Sequence, residues 1–215
     1  MVSRAIWVPI HVRDASNGSP LILVSSNSQL APSRGSGRRP VGAVRFRSNG
    51  NPGDRRSSCT RRRAAAFVGV ASSALLAEEL ASARGAVAIS ALAEGADTLF
   101  AEAAVTAHVP LEIVRPFSCY ADDFRTEPSR QRYRALAAEA RKETRLRYKT
   151  RSVRAYEAAM CWVVDHCDIL VAAWDGRPAR GPGGTAYAVR HAELIGRPVV
   201  RLDVTYHVVR RLAAA

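Results

Sequence analysis

Residues 64–204 predict an α/β fold, an open parallel sheet flanked by helices, preceded by a basic extension without stable structure. Three observations carry this. From Ala64 onward helix and strand signals alternate, the pattern of a parallel sheet covered by helices. The run Asp168–Trp174 is uniformly apolar after its first residue, as a strand buried on both faces must be. Two glycine-containing segments, 90–97 and 174–185, each join a strand to a helix.

The elements follow in order. Residues 66–83 read as a helix and 86–90 as a short apolar strand. The loop 92–97 opens a helix to about Ala107. Pro110 introduces the strand 111–114, which Arg115, Pro116 and Phe117 end. Ser129 is a candidate N-cap for a long helix to about Tyr148, with Tyr133, Leu136, Ala137 and Ala140 along one face. A helix from about Ser152 aligns Tyr156, Met160, Val163, Val164 and Cys167 on one stripe and feeds the central strand. The loop 175–184 leads to a helix over 185–195, stopped by Gly196 at C′ with Pro198 beyond. A last strand spans 198–204, and 205–215 reads as a tail.

Charge divides the chain. The formal net charge is +13, but residues 1–63 hold twelve arginines against Asp14 and Asp54, and the remainder holds twenty basic residues against seventeen acidic ones. The extension, rich in Ser, Asn, Gly, Pro and Arg, lacks the apolar content to offset its ordering entropy; untranslated sequence ahead of the true start is a second reading of it. Leu21–Val24 and residues 41–47 are its two candidate strands. Such a tail attracts nucleic acid without sequence preference. Cys59, Cys119, Cys161 and Cys167 lack zinc-site or disulfide spacing and read as reduced thiols of a cytoplasmic protein. No apolar run approaches the roughly 20 residues of a membrane span. His108, His166, His191 and His207 are dispersed, so neither a metal site nor a cofactor is expected.

The chemistry concentrates in the two loops. Ligands of open α/β sheets sit beyond the carboxyl ends of the strands, and glycines let a phosphate approach backbone amides at a helix N-terminus. In WDGRPARGPGGT the candidates are Asp175, Gly176, Arg180, Gly181, Gly183, Gly184 and Thr185, with Arg177 adding charge. The plain alternative is a glycine-rich turn with an ordinary threonine cap. In SALAEGAD, Ser90 suits a phosphate or ribose, Gly95 a tight backbone, and Glu94 and Asp97 ribose hydroxyls or an amine; for Asp97 the alternative is helix capping. Asp175 ends the most buried strand, where a carboxylate needs a partner or a ligand. Trp174 and Tyr156 read as core.

Together SALAEGADTLFAEAA and VVDHCDILVAAWDGRPARGPGGTAYAV resemble the SLOG group of Rossmann-like proteins, which includes DNA-processing protein A and the Lonely Guy phosphoribohydrolases. The resemblance implies a nucleotide-like ligand held by both loops, and a homodimer. For the Lonely Guy branch it implies N-glycosidic hydrolysis, for which Asp175, Asp97 and Glu94 are the candidate carboxylates. That branch carries an arginine where this chain has Tyr156 and a glutamate where it has Ala188, and Arg154 lies about 200° around the helix from Tyr156. These departures favour binding without turnover, a sensor or regulatory module. The group also carries a central first strand with its own phosphate loop, which residues 41–50 alone are expected to supply.

Overall fold

The computed structural model describes residues 19–25, 52–81, 86–178 and 184–212. They form one seven-stranded sheet: β1 (Ser19–Ser25), β2 (Ala86–Ser90), β3 (Leu111–Phe117), β4 (Lys142–Tyr148), β5 (Ile169–Trp174), β6 (Val199–Asp203) and β7 (Val208–Leu212). Between them run α1 (Pro52–Ala81), α2 (Ala96–Thr106), α3 (Glu127–Glu139), α4 (Val153–Asp165) and α5 (Thr185–Leu194), with a 3-10 turn at Tyr120–Asp123. The strand order is β4-β3-β2-β1-β5-β6-β7, parallel throughout except that β7 returns antiparallel to β6.

β2, β3, β5 and β6 are largely buried on both faces, and strand alternation divides their side chains between two cores. Val171 and Ala173 of β5 join a core with Leu76 of α1, Phe100 and Ala104 of α2, and Leu136 of α3. Leu170 and Ala172 face the other way, onto Met160, Val163 and Val164 of α4 and Ala188, Val189 and Ala192 of α5. Phe100 and Phe117 are among the largest fully buried side chains, each contributing about 2–3 kcal/mol of transfer free energy. The predicted stripe of α4 is buried at all five positions, including Cys167 just beyond the helix.

Five expectations need correction, and in one of them β3 runs on through Arg115, Pro116 and Phe117, still paired with β4, instead of ending at Val114. The central strand comes from Ser19–Ser25, which pairs with β2 on one side and β5 on the other; it does not come from residues 41–50, which lie outside the described residues. The first helix begins at Pro52, well before residue 66. The long helix to Tyr148 is instead α3, capped by the Thr126 hydroxyl accepting from the Ser129 amide at 3.2 Å, followed by the edge strand β4. Lys, Glu and Arg favour helix locally, but only Leu146 and Tyr148 of this segment pack against the cores, and pairing with β3 overrides propensity. Finally, the chain does not trail off after residue 204. It turns over 204–207 and returns as β7.

Among the described residues no helix is long and apolar enough to cross a membrane, and no three His, Cys, Asp or Glu side chains cluster as metal ligands.

Candidate functional site

Because β1 to β6 run parallel, their carboxyl ends share one rim. Ser90 ends β2 and Trp174 ends β5, and both strands flank β1, so the two loops leave the same rim two strand spacings apart, with Trp174 three residues further along the strand direction than Ser90. The strand ends that launch the two loops therefore lie on one rim. Arg180, Gly181 and Gly183 lie outside the described residues.

The first loop is built from its own polar groups. Ser90 is fully buried, and its Oγ accepts the Leu92 amide at 3.0 Å. That bond holds Leu92 at φ 52, a left-handed conformation costly for a non-glycine residue. Asp97 is also buried, and its Oδ2 accepts the Ala93 amide at 3.3 Å, reaching back from the first turn of α2. Gly95 sits at φ 119, which only glycine adopts readily, and its carbonyl accepts the Thr98 hydroxyl at 2.8 Å. Glu94 and Gly95 face solvent, and the Glu94 carboxylate accepts a hydrogen bond from the Ser129 hydroxyl at the start of α3.

The second loop begins with a closed turn. The Asp175 carboxylate accepts the Arg177 amide at 3.0 Å and faces its guanidinium at 3.6 Å, while the Trp174 indole donates to the Arg177 carbonyl at 2.9 Å. Asp175 is thus partnered locally, which answers the desolvation argument that marked it out. Gly176, at φ 81, lies under the Arg201 guanidinium, which would meet an added Cβ at 2.5 Å. Arg201 in turn stacks over Trp174 at 4.9 Å and pairs at 2.6 Å with Asp203, a carboxylate buried at the end of β6. Burial opposes the charge on Asp203, yet the amides of Tyr206 and Thr205 and the guanidinium groups of Arg201 and Arg210 outweigh it and hold its pKa below the usual carboxylate value.

At the far end of this loop the accounting changes. Gly184 is the N-cap of α5 and supplies no side-chain cap. Thr185, the first helical residue, is only 2% exposed, and its buried Oγ1 has no hydrogen-bond partner among the described residues. The opening amides of any helix lack intrahelical acceptors and carry the positive end of the dipole. A buried hydroxyl and the opening amides of a helix thus lie together at the start of α5. Ala188, three residues on, is fully buried against α4 and β5.

A further cluster went unread in the sequence. Beyond β3, the Tyr156 hydroxyl donates to Asp123 Oδ2, and Arg151 Nε lies 3.1 Å from Asp123 Oδ1. The available signal was the one applied to Asp175, an acidic residue just past a strand's carboxyl end. Tyr156 also packs edge-on against Phe117 and Tyr120. Burial, with Asp123 adding, pushes its phenol well above the ordinary value, so it remains a donor. Burial likewise raises the Tyr120 phenol, with Tyr156 and Asp97 contributing.

No family model and no curated protein matches the chain. In fold it is similar to the structural-genomics target TM1055 at 12% identity and TM-score 0.39, over 84% of this chain and 72% of that one. It is also similar to DNA-processing protein A from Helicobacter pylori, described for its single-stranded DNA binding mode, at 14% identity and TM-score 0.44, over 86% and 65%. The same protein from Streptococcus pneumoniae aligns at 14% identity and TM-score 0.48, over 88% and 55%. The chain thus spans about two thirds and about half the length of these last two.

Proposed function

We propose that the chain binds a phosphorylated, nucleotide-like small molecule at the carboxyl rim. The phosphate sits at the N-terminus of α5, and the rest of the ligand reaches across the end of β1 towards the 90–97 loop. Thr185 carries this reading. A buried hydroxyl left without a partner costs about 1–3 kcal/mol, and a phosphate oxygen would accept both from it and from the first amides of α5.

Binding without turnover is the form of this function that the carboxylates favour. Asp97 is buried and bonded to its own loop, Asp175 pairs with Arg177, and Glu94 accepts from Ser129, so each serves as local structure. A sensor or regulatory module needs no more than the binding contacts at the start of α5.

The test is a thermal-shift screen of the purified full chain against nucleoside mono- and diphosphates, dinucleotides and cyclic nucleotides. A true ligand at a hundredfold excess over Kd adds about 2.7 kcal/mol, a shift of several degrees. The shift should vanish or shrink in Thr185→Val, and no free base should appear. If no phosphorylated ligand moves the transition, or Thr185→Val responds like the parent, the proposal fails.

A further inference from the structure

The first helix is longer than the sheet it covers. α1 runs from the carboxyl rim, where β1 ends, down to the start of β2, and its 30 residues extend about 45 Å, whereas the 7 residues of β1 span about 23 Å. Two contacts fix its height. The Phe67 ring meets that of His207, in the turn just beyond β6, at 5.4 Å, and Glu78 accepts from Arg211 of β7 at 2.6 Å. Phe67 therefore lies level with the carboxyl rim, and residues 60–66 stand above it by up to about 10 Å. They are exposed apart from half-buried Ala64. Counted back along the packed face, Leu75, Ala71, Val68 and Ala64 recur at helical spacing, and the next position is Arg61. Arg61 thus continues, above the rim, the face that packs into the core below, and overlooks the strand ends. Arg63, two residues on, lies about 200° around the helix.

Charge around the rim is unevenly divided. Over β2 and β3, segments 90–97 and 118–126 hold Glu94, Asp97, Asp122 and Asp123 against Arg125, with Arg151 reaching Asp123. Over β5 and β6, Asp175 faces Arg177, and Asp203 is shared by Arg201 and Arg210, so cations are in excess there before Arg61 is added. A second anionic group of a ligand is therefore favoured on the α1 side and repelled on the other. α1 belongs to the core on one face of the sheet and α5 to the core on the other, so a ligand that meets both reaches over the strand ends with more than one anionic group. Given phosphate binding at the start of α5, on which this rests, we propose that Arg61 holds the terminal phosphate of the ligand, whose class is then a nucleoside di- or triphosphate. A guanidinium suits that role, since its forked donors match phosphate oxygens.

Isothermal titration of the purified full chain with adenosine and guanosine mono- and diphosphates, and with inorganic phosphate and pyrophosphate as base-free probes, tests the assignment. The parent should bind each diphosphate about tenfold more tightly than its monophosphate, the effect of one added charged contact. In Arg61→Gln that advantage should shrink to about threefold or less, with monophosphate affinity unchanged. Arg63→Gln makes the same change in net charge on the far side of the helix and should keep the advantage. Both side chains are exposed, so both variants should melt with the parent. Thr185→Val should weaken mono- and diphosphates alike. No advantage in the parent, its loss in both arginine variants, or its retention in both overturns the proposal. If monophosphates still bind in that case and Thr185→Val still weakens them, phosphate binding at α5 stands without Arg61. If none of these anions binds the parent, the two fall together.

Discussion

The two rim loops begin alike and end differently. Each leaves a buried parallel strand and opens a helix. In the 90–97 loop the buried polar side chains turn inward: Ser90 and Asp97 each take an amide of the loop itself. In the second loop the turn at 174–177 is equally self-contained, but the helix it leads to starts with a buried hydroxyl that has no hydrogen-bond partner among the described residues. A loop that satisfies itself shapes a pocket; a group left unsatisfied at a helix start is where a ligand contributes. Stability and binding should therefore separate by position along the rim.

The largest expected effect falls on stability, at Gly176→Ala. The left-handed φ costs an alanine about 1–2 kcal/mol, and its methyl would force Arg201 off Trp174 and Asp203. Together we expect about 3 kcal/mol of destabilisation, read by chemical denaturation. A wild-type-like midpoint would show that Arg201 has a second resting place. Next is Asp97→Ala, which strands the Ala93 amide in a part-buried loop and should cost about 1–2 kcal/mol. Neither variant should remove ligand response in the fraction that remains folded, because neither touches Thr185.

Acid should reproduce part of the first effect. The folded-state pKa of Asp203 is lowered, so its contribution is complete above the ordinary carboxylate value near about 4 and is lost as pH falls through the lower folded value. Asp203→Asn should accordingly lack a portion of the acid-induced loss of stability that the parent shows. Matching slopes for the two chains over that range would mean that Asp203 titrates as freely as in the unfolded state.

Thr185→Val reverses the pattern of the first two. Exchanging an unpartnered buried hydroxyl for a methyl of nearly the same shape should leave stability unchanged or raise it by up to about 1 kcal/mol. Affinity for the phosphorylated ligand should fall about tenfold, or about 1.4 kcal/mol. Isothermal titration alongside denaturation measures both. A variant less stable than the parent would mean that the hydroxyl has a structural partner, and the contrast between the loops would collapse.

Sequence made legible those parts of this contrast that depend on local pattern. The apolar run of β5, the start of α4 near Ser152, the Gly196 stop of α5 and the common rim of the two loops all follow from periodicity and turn chemistry. The failures share a cause, since each concerns a segment whose identity is decided by what it pairs with. Ser19–Ser25 is a short apolar run in polar surroundings, and it becomes the central strand because β2 and β5 leave a slot between them. Lys142–Tyr148 has a helix former's composition and becomes a strand at the edge of β3. Asp175 was legible as a carboxylate in need of a partner, but not that Arg177, two residues on, would be that partner.

The smallest effect tests whether the first loop extends any group towards a ligand. Glu94 is its one exposed acidic side chain, tied to α3 through Ser129. An exposed charged hydrogen bond of this kind contributes no more than about 0.5 kcal/mol, so Glu94→Gln, which keeps an acceptor oxygen, should leave the melting transition almost unmoved. Its effect on ligand affinity then has a clear meaning. If Glu94 only links α2 to α3, affinity is unchanged as well. If it receives a hydroxyl or amine of the ligand, affinity drops while stability does not, and the drop is confined to ligands that carry that group, so comparing a nucleotide with its deoxy counterpart decides it. With Thr185 fixing the phosphate end, this pair of measurements determines whether the ligand spans the end of β1 or stops at α5.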